Sequence, residues 1–129
     1  MAVMAMKHDK DPRVEILEKI GKLDDFSVYN NMCLVAVYER PEQTKGGILL
    51  TQTQRAEDKY QGKAALIVKT GPVAFEAANG YFTEGGPAVG DWIAIRPSDG
   101  WPIQINGMLC RMLVDEQVKL RIPSPDSVY

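Results

Sequence analysis

The sequence predicts an all-β fold, a small barrel or sandwich, preceded by one short helix and flanked by extended terminal arms. Three observations carry this expectation. Short apolar runs recur between residues 32 and 122. Turn-forming residues stand between them at close spacing, among them Pro97-Ser98-Asp99-Gly100 and Asn106-Gly107. Several of the runs alternate apolar and polar residues with period two, which is how a strand turns one side to a core.

Taken in order, residues 1 to 10 read as a loose tail. Asp11-Pro12 marks a helix start, because an Asp side chain can cap the first free N–H groups and proline at the first helical position loses no hydrogen bond. Ile16, Leu17 and Ile20 then fall on one face, with Glu15, Glu18 and Lys19 opposite, and Gly21 supplies the stop. So short a helix is unstable alone and must dock on something. Residues 1 to 31 are thus an N-terminal arm containing one short helix.

"MCLVAVY", 32 to 38, is a near-continuous apolar run and the first expected strand. A loop with Pro41, Gly46 and Gly47 follows. "ILLTQ", 48 to 52, reads as a short strand, "RAEDKYQG" as a charged connection, and "KAALIVKTG", 63 to 71, as a second long strand. Asn79-Gly80 suits a tight hairpin. In "DWIAIR", Ile93 and Ile95 alternate with Trp92 and Ala94. In "WPIQI", Trp101, Ile103 and Ile105 alternate with Pro102 and Gln104, and the proline marks a strand edge or start. Asn106-Gly107 makes a hairpin into "MLCRMLV". "QVKLRI" then places Val118, Leu120 and Ile122 on one side. The barrel should span 32 to 122, with Leu34, Val35, Val37, Leu66, Val68, Ile93, Ile95, Leu109 and Val118 in its core. Residues 123 to 129, "PSPDSVY", form an extended C-terminal tail.

The composition narrows function. The chain has 129 residues, 45% of them hydrophobic, and a net charge of −2. That suits one domain and offers no basic surplus for nucleic acid or an anionic membrane. No apolar run approaches the ~20 residues a membrane helix needs. "MAVMAMKHDKDP" has no hydrophobic leader followed by a cleavage site, which points to the cytoplasm. Cys33 and Cys110 stand far apart and His8 is the single histidine, so neither a metal-ligand spacing nor a histidine relay is present. Asp24-Asp25 and Asp115-Glu116 are adjacent carboxylates whose side chains point apart, and they read as solvated turns. No catalytic residue, metal site or cofactor site is expected, and the chain does not read as an enzyme.

One stretch stands out. Gly46-Gly47-Ile48-Leu49-Leu50 places two glycines before three large aliphatics, all amid polar residues. With Val89-Gly90-Asp91 and the order of segments from "LVAVYER" to "MLCRMLVDEQVKLRI", it resembles the GroES-type co-chaperonins, over about residues 32 to 122. The resemblance implies a GroES-like β-barrel and a ring-like homo-oligomer. In that ring the last strand of one subunit, here "VKLRI", pairs with the first of its neighbour, here "CLVAVY". It also implies a flexible loop whose aliphatic residues, here Ile48, Leu49 and Leu50, enter an apolar groove on a GroEL-type chaperonin. Burying three such side chains would contribute about 5 kcal/mol per subunit at most, multiplied by avidity. Divergent proteins of this type occur in bacteriophages, where they serve capsid folding. The helical arm at 1 to 31, which the usual co-chaperonin lacks, suits a second use of the same barrel. That use is a virion structural or assembly protein contacting phage capsid or neck proteins. The expected location is then the host cytoplasm, or the virion.

Overall fold

The computed structural model describes residues 6, 10–40, 47, 49–52, 63–77, 82–83 and 85–128. The two near-continuous apolar runs become β1 (Met32–Val37) and β2 (Ala64–Thr70), paired antiparallel. They lie at the centre of one six-stranded antiparallel sheet with β3 (Trp92–Ala94), β4 (Trp101–Ile105), β5 (Met108–Val114) and β6 (Arg121–Ile122). The order across the sheet is β4-β5-β1-β2-β3-β6.

The sheet is not closed into a barrel, which corrects the all-β barrel expected from the strand spacing. Its terminal members, β4 and β6, do not pair with each other. The physical reason lies in β1 and β2. Every residue from Cys33 to Val37 and from Ala64 to Val68 is buried. Successive residues of a strand face opposite sides, so both faces of the sheet are covered. The wall of a small barrel needs cover on its inner face only. Continuous apolar strands belong instead to a sheet packed on both sides.

One face gathers Leu34, Ala36, Leu66, Val68 and Trp92, and is covered by Ile16 and Ile20 of α1 (Pro12–Ile20). The other gathers Cys33, Val35, Val37, Ala65, Ile67, Ile93, Ile95 and Leu113, with Val118 and the half-buried Phe75 packed over it. The short helix is therefore a layer of the core. Its sequence signals act as expected. The Asp11 side chain accepts from the Arg13 N–H at 2.9 Å, and Gly21, at φ 71°, donates its N–H to the Leu17 carbonyl. Leu17 is exposed together with Val14, leaving Ile16 and Ile20 to carry the packing. The Asn106 side chain donates to the Ile20 carbonyl, so the tip of the β4–β5 hairpin fastens the end of the helix.

The ends of the chain are also tied in. Met6 lay within the stretch expected to be loose, yet it is fully buried. Its N–H donates to Asp126 Oδ2 at 3.1 Å, and the Tyr38 hydroxyl donates to Asp126 Oδ1 at 3.3 Å. Asp126 sits in a 3-10 turn, Pro125–Val128, where the sequence suggested extended chain.

Three further details decide what the edges can do. The β4–β5 turn has Asn106 at φ 52° and Gly107 at φ 80°, the left-handed pair that an Asn-Gly hairpin requires. Pro102 lies on the edge strand β4, as its missing N–H demands. "QVKLRI" is not one alternating strand. Asp115–Gln117 is a 3-10 turn, Val118 and Ile122 enter different cores, and Leu120 is exposed. Because β1 is flanked by β2 and β5, it has no free edge for a neighbouring subunit's last strand. The inter-subunit pairing implied by the resemblance is thus not available to β1.

Leu66 is completely buried at the centre of the first core, so Leu66→Ala should lower stability by ~2–5 kcal/mol. Gly100 has φ 69°, and a Cβ there would lie 2.2 Å from the Met112 carbonyl oxygen. Gly100→Ala should therefore also destabilise, by about 2 kcal/mol or more, through backbone strain and overlap. Urea unfolding checks both, and an unchanged midpoint in either variant would contradict this packing.

Candidate functional site

β1 and β2 are neighbours, yet residues 38 to 63 separate them in sequence. Long connections between adjacent strands usually carry function where they have no regular structure of their own, and residues 41–46, 48 and 53–62 of this one lie outside the described residues. Both ends of this one are anchored. The Tyr38 N–H donates to the Ala64 carbonyl at 2.9 Å, and the Ile95 N–H donates to the Lys63 carbonyl at 2.8 Å. The Tyr38 ring packs edge-on against Trp92, with ring centres 5.8 Å apart. Both roots of the segment are thus tied to the sheet.

Of the five residues singled out in the sequence, Gly47, Leu49 and Leu50 are described, while Gly46 and Ile48 lie outside the described residues. Gly47 is exposed at φ 87°, a conformation that favours glycine. Leu49 is 70% exposed, and Leu50 is half-buried. The strand expected over 48 to 52 is not formed among its described residues. Leu49 makes an isolated bridge, Leu50 and Thr51 have no regular structure, and Gln52 is helical. The hairpin expected at Asn79-Gly80 and the charged stretch from Arg55 to Gly62 lie outside the described residues.

The buried charged groups are structural. Arg111 donates from Nε to the Asp99 carbonyl at 2.9 Å and from Nη2 to the Pro97 carbonyl at 2.8 Å, which fixes the turn before β4. Asp99 in turn accepts two bonds from Arg96, each at 3.0 Å. Asp115 was expected on a solvated turn, but it is fully buried. It accepts from Asn31 Nδ2 at 2.9 Å and from the Phe75 N–H at 3.1 Å. It therefore ties the start of β1 to the segment that carries Phe75 over the second core. No sequence pattern flags either residue, since each matters through backbone partners far away in the chain. Asp24 and Asp25 do lie on an exposed turn.

Among the described residues, no three His, Cys, Asp or Glu side chains gather closely enough to share a metal ion. No helix among them is long and apolar enough to cross a membrane. The two thiols cannot pair in this fold. Cys33 stands opposite Leu113 and Cys110 opposite Ala36, and the two belong to different faces of the sheet. No protein-family model matches the chain, and no curated protein matches it in sequence.

Both thiols are held protonated. Burial, with a smaller contribution from the Asp115 charge, pushes Cys33 from the ordinary 9.0 up to about 12, and burial pushes Cys110 up to about 11. Above pH 9 the unfolded chain loses these protons while the folded chain keeps them, so rising pH favours unfolding. The loss should begin near pH 9 and level off near pH 11 for Cys110 and pH 12 for Cys33. By pH 10 each thiol should remove about 1 kcal/mol of stability. Urea midpoints at pH 8 and pH 10 test this. The drop should shrink in the Cys33→Ala, Cys110→Ala double variant, and a drop of equal size in that variant would refute the assignment.

Proposed function

We propose that the chain works by docking onto a partner protein through the 38 to 63 connection, with the Gly46–Leu50 segment as its apolar contact, in the way of a co-chaperonin on a GroEL-type chaperonin. One observation carries this reading. Leu49 is a large aliphatic side chain, 70% exposed, on a long connection rooted in the two central strands. Leucine held in water contributes nothing to the fold, and its burial by a partner would contribute about 1.5–3 kcal/mol. The glycine before the aliphatics lets the backbone turn without strain. The same segment carries the resemblance to the co-chaperonin family, and repetition of a modest contact around a homo-oligomer would make it effective.

A virion structural role, with terminal arms gripping capsid or neck proteins, draws less support. Ile16 and Ile20 of α1 belong to the first core, the Pro125–Val128 turn lies beside β2, β3 and β6, and buried Met6 is bonded to Asp126 of that turn. Arms used in this way are not free to hold a neighbour.

The test combines binding with stability. Light scattering should show the protein alone as an oligomer and as a larger complex with a purified GroEL-type chaperonin. Leu49→Ser should abolish that complex while changing folding stability by no more than ~0.5 kcal/mol, as exposed positions do. A large fall in melting temperature would show that Leu49 belongs to the core. Retained binding by Leu49→Ser, or no complex with the unsubstituted protein, would overturn the docking proposal.

A further inference from the structure

The contact that fastens α1 is chemically perishable. Asn106 is followed by Gly107, and both are exposed at the tip of the β4–β5 hairpin. A Cβ at position 107 would meet nothing within 4 Å, so no neighbouring group crowds the turn on that side, and glycine adds no side chain beside the Asn106–Gly107 bond. The Asn106 side-chain amide also has a task, since its Nδ2 donates to the Ile20 carbonyl at the C-terminal end of α1.

We propose that Asn106 is a site of spontaneous deamidation, and that its conversion releases α1 from the hairpin. The Gly107 nitrogen attacks Asn106 Cγ. An N–Cγ bond forms, the Cγ–Nδ2 bond breaks, and ammonia leaves with the amide proton. Water then opens the resulting succinimide at either carbonyl, giving an aspartate or isoaspartate side. The step is a substitution followed by hydrolysis, and water is its one co-reactant.

The consequence follows from the geometry. A donor facing the Ile20 carbonyl becomes a carboxylate, which can only accept. The Ile20 carbonyl loses its partner, and a negative charge now sits at the helix end where the backbone dipole is already negative. α1 spans only Pro12–Ile20 and depends on docking to persist. Its departure would uncover Leu34, Ala36 and Leu66 on the first face of the sheet. The isoaspartate product adds a backbone carbon to the turn and disturbs the hairpin as well.

The experiment ages the full chain at mildly alkaline pH and locates any mass change by peptide mapping. Asn79-Gly80, the other such pair in the sequence, serves as an internal reference. The peptide containing Asn106 should gain the mass of an amide-to-carboxyl exchange. The melting temperature of the aged protein should fall by about 3–8 °C, and proteolysis within 12 to 20 should quicken. Asn106→Gly keeps a left-handed turn but cannot deamidate, so its melting temperature should not change further on ageing. Asn106→Asp should resemble the aged protein from the start. If that variant does not fold, the comparison of aged and fresh protein still decides. A mass gain at Asn79 with none at Asn106 would overturn the proposal. So would conversion at Asn106 that leaves the melting temperature and the proteolysis of α1 unchanged.

Discussion

Everything in this molecule depends on burying β1 and β2 on both faces at once. A strand with one wet face needs a single partner layer, whereas a strand dry on both sides needs two. Here the first layer is assembled from the two ends of the chain. Ile16 and Ile20 of α1 cover one region, while the Pro125–Val128 turn packs beside β2, β3 and β6. The second is assembled from the middle, with Phe75 and Val118 folded over Val35, Ile67 and Ile93. Neither layer is a regular sheet or a long helix, so each must be fastened by individual polar contacts. Asn106 fastens the helix, Asp126 fastens Met6, and Asp115 fastens Phe75.

Those contacts explain where the buried polar groups fall. A buried carboxylate is costly unless its lone pairs find donors. Asp115 finds them in Asn31 and the Phe75 N–H, two groups remote in sequence from it and from each other. Phe75 itself sits at φ 62°, unusual for an aromatic residue, and its N–H is the one Asp115 accepts from. Arg111 does the equivalent for the turn at 97 to 100, where Gly100 leaves no room for a side chain. The unusual backbone at Phe75 and the tight turn at Gly100 are each held by a buried polar side chain.

Much of the secondary structure was legible because it is locally determined. Asp11-Pro12 and Gly21 mark α1 through capping physics, and Asn106-Gly107 marks the hairpin through its left-handed turn. Trp92, Ile93 and Ala94 alternate between the two cores as period two requires. Closure was not legible. Spacing and turn residues describe strands equally well in a barrel and in an open sheet. The discriminating signal was present in Leu34-Val35-Ala36-Val37 and Ala64-Ala65-Leu66-Ile67-Val68, whose unbroken apolarity asks for two covered faces. The covers themselves were hidden. Met6 reads as tail and Phe75 as loop, yet Met6 is buried and bonded to Asp126 and Phe75 packs on the second core. In the candidate segment, Gly46-Gly47-Ile48-Leu49-Leu50 stood out by composition alone, but the absence of a strand at 49 to 52 could not be read from it. An aliphatic triplet before Thr and Gln has strand composition whether or not a neighbouring strand exists to pair with it.

Leu49 stands outside both covering layers. A leucine exposed to water cannot sit in either layer, because those layers exist to exclude water. Nor is the β4 edge a good host, since Pro102 and the short hairpin there serve to discourage strand addition. The connection between β1 and β2 avoids both conflicts. It leaves the sheet after Val37 and returns at Ala64, which are held by Tyr38, Trp92 and backbone hydrogen bonds. Its two roots are thus fastened to the sheet, while Leu49 is 70% exposed and belongs to neither core cluster. Substitution at an exposed position such as Leu49 is expected to affect folding little. In a chain whose two covering layers are fastened by a few polar contacts, an exposed leucine conflicts least with the fold where it belongs to neither layer.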